Sequence, residues 1–401
     1  MGVARIDRAM RGSGMAWRVR GRRIAALVLP LLLVGCAGLP QQPEISTDDL
    51  AWVSAGAGLL PASGQVALED LSALMQLTPE MRSFAHRATD GRPGFAAKAE
   101  ALADALGSPD DRHVVYDAEA TLTAQQAFEQ RRANCLSYTL LFVALAREVD
   151  IPAQFNEVDI PPVWDLGDDK TSVLYRHINA KLNLSAPYYR IIDVSGDEYD
   201  PAFDQHIISD TQAEAQFYNN RAVELRLQQR LAEALRYQLR ALELAPDIAY
   251  LWTNLADLYL LDNNLRAARI AVTQALRVDP TSMLSYDAAA HVYEQIGQPA
   301  LARYFHDRAQ NFLDQNPYYH YQLALGALRE GNDRVAFTEG RRAILIYPKD
   351  ARFFFLMALV LDRMGDMQLS NRSLEAALKL SPDVAQQERY KSKFARLTNQ
   401  G

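Results

Sequence analysis

Four prolines, Pro246, Pro280, Pro348 and Pro382, stand on one lattice of 34 residues, with a double step of 68 between the second and third. Small side chains keep the same register at Ala222, Ala234 and Ala241; Ala256, Ala268 and Ala275; Ala290, Ala302 and Ala309; Ala324, Ala336 and Ala343; and Ala358, Ser370 and Ala377. Two antiparallel helices approach closely only where neither carries a bulky side chain, and a proline stops the second helix of a pair before the next begins. This period restricts the last half of the chain to five stacked helix pairs, each completed by its neighbours. From about Ala213 the chain reads as helical to its end.

The lattice resembles the tetratricopeptide repeat. The second repeat fits best, with Trp252, Leu255, Ala256, Tyr259, Ala268, Ala275 and Pro280 in the expected slots. The third departs, carrying Asp314 where the lattice asks for proline and Pro317 three residues later. The charged, helical stretch from Val384 to Leu397 suits a cap over the last apolar face. The resemblance implies either a spacer or a concave groove for a peptide or helix, faced by the second, fifth and ninth residues of each repeat. Tyr250, Asp257, His291, Tyr318 and Tyr321 are among them.

The chain begins very differently. Arg18, Arg20, Arg22 and Arg23 precede the apolar stretch from Ile24 to Val34, which is too short to cross a bilayer by the requirement of about 20 residues. Leu33, Val34, Gly35 and Cys36 follow in the order of a bacterial lipobox. That resemblance implies a signal peptide over residues 1–36, from Met1 or from Met15, and acylation of Cys36. Ala37 in place of aspartate favours the outer membrane, with the protein facing the periplasm. Several acyl chains, at about 0.8 kcal/mol per buried methylene, make such an anchor effectively permanent.

Charge narrows the partners. The first 36 residues hold 7 of the 42 basic and 1 of the 49 acidic side chains, so the mature chain carries 35 against 48, a net charge of −13. An acidic chain without a basic stretch argues against nucleic acid, which is bound mainly through Lys and Arg. Proteins or peptides are the expected partners, beside the membrane at the N-terminal lipid. The remaining cysteine is Cys135, and with Cys36 lipidated no disulfide can form within the chain.

From Leu39 to about Gly64 the chain is rich in Pro, Gln, Gly, Ala and Ser and reads as a tether. Helical patterns at Leu68–Met75 and Phe95–Leu106, a β-like His113–Tyr116 and a helical Thr123–Gln130 lead to Asn134-Cys135-Leu136-Ser137-Tyr138. Asn134 suits an N-cap, and Tyr138, Leu141, Phe142, Leu145 and Val149 form one face of a helix running to about Glu148. A thiol in a first helical turn meets unpaired amides and the positive end of the helix dipole, which favour its thiolate. A thiolate doing acyl transfer also needs a base and a group to orient that base. Ile178, Ala180, Leu182 and Leu184 alternate with His177, Asn179, Lys181 and Asn183, the period of a half-buried strand with His177 on its polar face. A turn at Ser185-Ala186-Pro187 leads to a second strand ending at Asp193. Centred on Ser185, the hairpin sets His177 directly opposite Asp193.

These residues, from roughly Thr121 to Phe203, resemble the transglutaminase-like superfamily, a papain-like α+β fold with a cysteine at a helix start and a histidine and aspartate on adjacent strands. The resemblance implies that Cys135 is the nucleophile, His177 the general base and acid, and Asp193 its orienter. One oxyanion donor is then the Cys135 amide; Gln126 and Gln130 are alternatives for a second. No cofactor and no metal are expected. Gly196 is misplaced for a calcium loop built on Asp193, Ser195, Asp197 and Asp200; Asp168 and Asp169 suit a polar loop; and His206 near Asp204 is too little for a metal.

The expected organisation is a signal peptide over 1–36, a tether over 37–64, a transglutaminase-like domain over 65–212, an all-α solenoid of five repeats over 213–382 and a capping helix over 383–401. Two functions compete. One is a cysteine hydrolase or acyltransferase acting on amide bonds, with repeats that recruit the substrate; the other is a noncatalytic peptide-binding scaffold. A fragment from Ala213 onward is expected to fold by itself, because repeats touch only their neighbours.

Overall fold

A computed structural model describes residues 44–58, 68, 71–108, 113–158, 163–164, 172–173, 177–185, 188–194, 205–381 and 384–398. The lipobox with Cys36, the polar loop at Asp168 and Asp169, the tip of the hairpin at Ala186-Pro187, and Ser195, Asp197, Asp200 and Asp204 lie outside them. No helix among the described residues is long and apolar enough to cross a membrane.

An α/β region comes first. It comprises α1 (Thr47–Ser54), α2 (Leu71–Leu74), α3 (Pro79–Thr89), α4 (Gly94–Gly107), β1 (Val115–Tyr116), α5 (Ala124–Gln130), β2 (Arg132–Ala133), α6 (Cys135–Glu148), β3 (Ala153–Val158), β4 (Val163–Trp164), β5 (Ser172–Val173), β6 (His177–Ser185), β7 (Tyr188–Ile192) and β8 (Gln205–Ile208). The main sheet has the order β7-β6-β3-β8 with antiparallel pairing. Helix α6 lies against β3 and β6. Its eleven residues from Leu136 to Ala146 are all buried, since α3, α4 and α5 also pack against it.

The repeats follow as α7 (Asp210–Leu227) with α8 (Leu231–Leu244), α9 (Ala249–Leu261) with α10 (Leu265–Val278), α11 (Met283–Gln295) with α12 (Pro299–Asp314), α13 (Pro317–Arg329) with α14 (Asp333–Ile346), and α15 (Ala351–Arg363) with α16 (Met367–Leu380). Helix α17 (Val384–Thr398) packs on α15, where Tyr390 stacks on Phe355 at 4.7 Å. Every small residue of the lattice is buried except Ala302, which is half-buried and belongs to the departing third repeat. Without a proline at 314, α12 runs to 16 residues, against 14 in each of the other four second helices. Asn316 then caps α13, and Pro317 takes its first position, where a missing N–H costs nothing.

The core divides at that same place. Buried side chains as far as Phe305 and Ala309 join one cluster with the α/β region, whereas Ala324, Ala327, Ala336, Leu356 and Val360 form another. Polar contacts cross the seam. His320 Nε2 lies 3.1 Å from the Asp314 carbonyl oxygen and Arg342 reaches the Asp314 carboxylate at 3.9 Å, while His320 Nδ1 lies 2.6 Å from Glu339 within the fourth repeat.

Two expectations are corrected. Residues 47–54 are not tether but helix α1, closed by a Ser46–Asp49 capping box and docked on α10. There Arg266 pairs with Asp49 at 3.1 Å and lies 4.7 Å over the Trp52 ring, and the Tyr259 hydroxyl donates to the Val53 carbonyl at 2.6 Å. Nor do the repeats touch only one another. Ser209 alone separates β8 from α7. Across this junction Arg147 pairs with Asp210 at 2.6 Å, the Thr121 amide donates to Glu224 at 3.1 Å, and Gln216 donates to buried Glu157.

Candidate active site

The first turn of α6 is fixed before any catalytic group is placed. Asn134 Oδ1 accepts the Ser137 amide at 2.9 Å, as an N-cap does, and Asn134 Nδ2 donates to Thr121 at 2.8 Å. Ser137 Oγ donates to the Ala120 carbonyl and accepts the Leu122 amide at 2.7 Å. Thr139 Oγ1 is 2.7 Å from the Cys135 carbonyl and 3.2 Å from that of Ile178, so it stitches α6 to β6 beside Cys135. Cys135 is half-buried and is a free thiol.

His177 opens β6 and is buried. Its Nε2 lies 2.5 Å from Asp193 Oδ2, and Cys135 is the other polar group that acts on the ring. Burial alone lowers an imidazole pKa. Here the hydrogen bonds to Asp193 and Cys135 and the charges of both outweigh it, and His177 is raised to about 10. An imidazolium between a carboxylate and a sulfur is the arrangement a thiolate nucleophile requires.

The hairpin reaches this geometry by a register other than the expected one. Asn183 pairs with Tyr189 and Ala180 with Ile192, after an irregularity between Asn183 and Ser185. Continued by one residue, that register sets Asp193 opposite Asn179 rather than His177. The slip is two residues, so each side chain stays on its expected face, and His177 reaches Asp193 along the diagonal. The half-buried reading of β6 also fails at its start, since His177 and Asn179 are as buried as Ile178 and Ala180.

Behind the aspartate lies a polar chain that sequence reasoning missed. Asn179 Nδ2 donates to Asp193 Oδ2 at 3.0 Å, and Asn179 Oδ1 accepts from Asn156 Nδ2 at 2.9 Å. Asn156 Nδ2 also reaches Gln205 Oε1 at 3.1 Å, while Asn156 Oδ1 is buried without a partner among the described residues. An orphaned acceptor of this kind costs about 1–3 kcal/mol. The only signal in the sequence was asparagine two residues after the histidine. The two glutamines considered as oxyanion donors have local roles: Gln126 closes the capping box of α5 with Thr123, and Gln130 accepts from Arg132 at 3.2 Å.

The groove residues fall into two groups. On α9 and α11, Tyr250 lines a cavity of about 470 Å³ together with Met283, Leu284 and Phe312. Nearby, burial raises the Asp257 carboxyl, against the opposing charges of Arg226 and His291. His291 itself is exposed. Beyond the seam, Tyr318 and Tyr321 both pack on Phe353 of the next repeat at 5.2 Å, and Arg352 lies 5.3 Å over Tyr318. Among the described residues no group of three or more His, Cys, Asp or Glu is placed to hold a metal.

Comparison with known families agrees with this layout. Residues 82–173 match the transglutaminase-like superfamily, and residues 215–248, 249–282 and 351–384 match the tetratricopeptide repeat. The chain thus carries a transglutaminase-like domain followed by tetratricopeptide repeats. The first match ends before His177, so the histidine and aspartate stand on the geometry above. Among solved structures the chain is similar to YrrB, titled a TPR protein with an unusual peptide-binding site, at 21% identity over 44% of this chain and 92% of that one, with a TM-score of 0.24. It is similar to MamA from Desulfovibrio magneticus RS-1 at 14% identity over 42% and 94%, with a TM-score of 0.24. It is also similar to pilF of Pseudomonas aeruginosa at 12% identity over 48% and 87%, with a TM-score of 0.26. No curated protein matches the chain.

Proposed function

We propose that this protein is a lipid-anchored, periplasm-facing cysteine hydrolase or acyltransferase that acts on amide bonds of a protein or peptide brought to it by the repeats. The observation that carries the reading is the Cys135–His177–Asp193 arrangement, with His177 raised to about 10 between sulfur and carboxylate. Cys135 Sγ attacks the amide carbonyl carbon as the C–N bond breaks, and His177 gives its Nδ1 proton to the leaving amine. Water or a second amine then attacks the thioester, passes its proton to His177 and releases the sulfur. The helix start supplies backbone amides for the oxyanion, that of Cys135 among them. The groove residues Tyr250, Asp257, His291, Tyr318 and Tyr321 are the proposed contacts for the partner.

Alkylation by iodoacetamide tests the site without a known substrate. Cys135 of the folded protein should react rapidly near neutral pH, His177→Ala should slow it by about tenfold or more, and Asp193→Ala should slow it less. A thiol that reacts only after denaturation, indifferent to both substitutions, would leave the noncatalytic scaffold as the reading. The anchor has its own test: Cys36→Ser should abolish incorporation of labelled palmitate, and label retained in that variant removes lipidation at this residue from the proposal.

A further inference from the structure

We infer that Asn179, held in place by Asn156, is a positioning residue for the triad: it fixes the Asp193 carboxylate and through it the direction of the His177 ring. This rests on the catalytic reading above.

The argument is one of forced orientation. A carboxylate only accepts, so Asp193 Oδ2 compels Asn179 to turn its Nδ2 toward it, at 3.0 Å. That leaves Asn179 Oδ1 facing β3, where only a donor suits it, and Asn156 supplies Nδ2 at 2.9 Å from the directly paired position. Asn156 is then left with Oδ1 buried and unpartnered among the described residues. Each amide orientation follows from the one before, and the sequence starts at the catalytic carboxylate. Both asparagines are fully buried in the central strands of the sheet, where paired apolar side chains would hold the strands together with nothing orphaned. A purely structural role does not account for them. Fixing the carboxylate does, because Oδ2 receives His177 Nε2 and Asn179 Nδ2 from two adjacent positions on one face of β6 and cannot swing without losing one.

Asn179→Asp tests this with little change of shape. It keeps the acceptor that meets Asn156 and replaces the donor that meets Asp193 with a second carboxylate. The full-length variant, together with Asn179→Ala, should be alkylated at Cys135 on the order of tenfold more slowly near neutral pH, with an altered pH profile from about pH 5 to 9. Asn156→Asp, one bond farther out, should show the same change more weakly, and keeps the test open if the other two fail to fold. Wild type faster than His177→Ala, with the asparagine variants superimposed on it despite a lower Tm, would overturn the inference alone. Wild type no faster than His177→Ala would overturn the catalytic reading and this inference with it.

Discussion

The grouping of Cys135, His177 and Asp193 was legible at the level of single residues because each sits at a local landmark: a cysteine one residue after a capping asparagine, a histidine opening an alternating strand, an aspartate just after the next. Asn179 was not, because alternation distinguishes two faces of a strand but cannot say whether the polar one meets water or a buried network. Along β6 it does both, with His177 and Asn179 inside and Asn183 exposed. The buried end has a pH signature. His177 is raised from 6.5 to about 10 on folding, so the folded state binds its proton more tightly than the unfolded state does. Its contribution to stability is complete below about pH 6.5 and is lost as the pH rises toward 10. In a Cys135→Ala background, where no thiol titrates, the Tm difference between His177 and His177→Asn should be largest near pH 6 and shrink by about pH 10. A constant difference across that range would mean that the ring is not held charged.

Periodicity carried most of the elements. It placed α6 and the repeats, and it flagged the third repeat, where one missing proline lengthens α12 by two residues relative to its counterparts. Helix α1 escaped because its eight residues carry little amphipathic pattern, and docking on α10 rather than propensity holds it. The hairpin register escaped because a turn read from sequence does not reveal an irregularity beside it. The seam after α12 has an energetic consequence. Two core clusters bridged by polar contacts should open separately, so amide exchange should protect α13 to α16 as one block with lower stability than α7 to α12. His320→Leu removes the His320–Asp314 contact across the seam, together with the His320–Glu339 contact inside the fourth repeat, and should accelerate exchange in α13 and α14 while leaving α9 and α10 unchanged. Uniform exchange along the array would show that the divided core still behaves as one unit. Within the outer block, a Cβ added at Gly340 would come within 2.7 Å of Met357 Sδ, so Gly340→Leu should destabilise by about 1–3 kcal/mol, measurable by denaturant unfolding.

For the molecule as a whole, the two-part division was plain from the change of period, but the independence of the parts was not. A solenoid needs something to cover each terminal face, and sequence inspection found only α17, because the other cover is a domain of different composition. The first repeat shares Arg147–Asp210, Thr121–Glu224 and Glu157–Gln216 contacts with that domain, and the second is clasped by α1. A fragment beginning at Ala213 lacks these partners and also the Ser209 cap and first turn of α7. It should keep α9 to α16 helical but lose amide protection through α7 and α8, and protection equal to that in the full chain would restore the view of a self-sufficient array.

On the proposed function, the single residue between β8 and α7 would also set how a captured segment meets the thiol. Where a flexible linker joins a reader to a reactor, the linker's random coil sets the local concentration, and segments of many lengths are served about equally well. Here there is no coil to average over. Under the proposed function, a segment held along the repeats would meet Cys135 at a fixed reach and heading, so that the protein would act as a ruler, with distance along the segment part of what it selects.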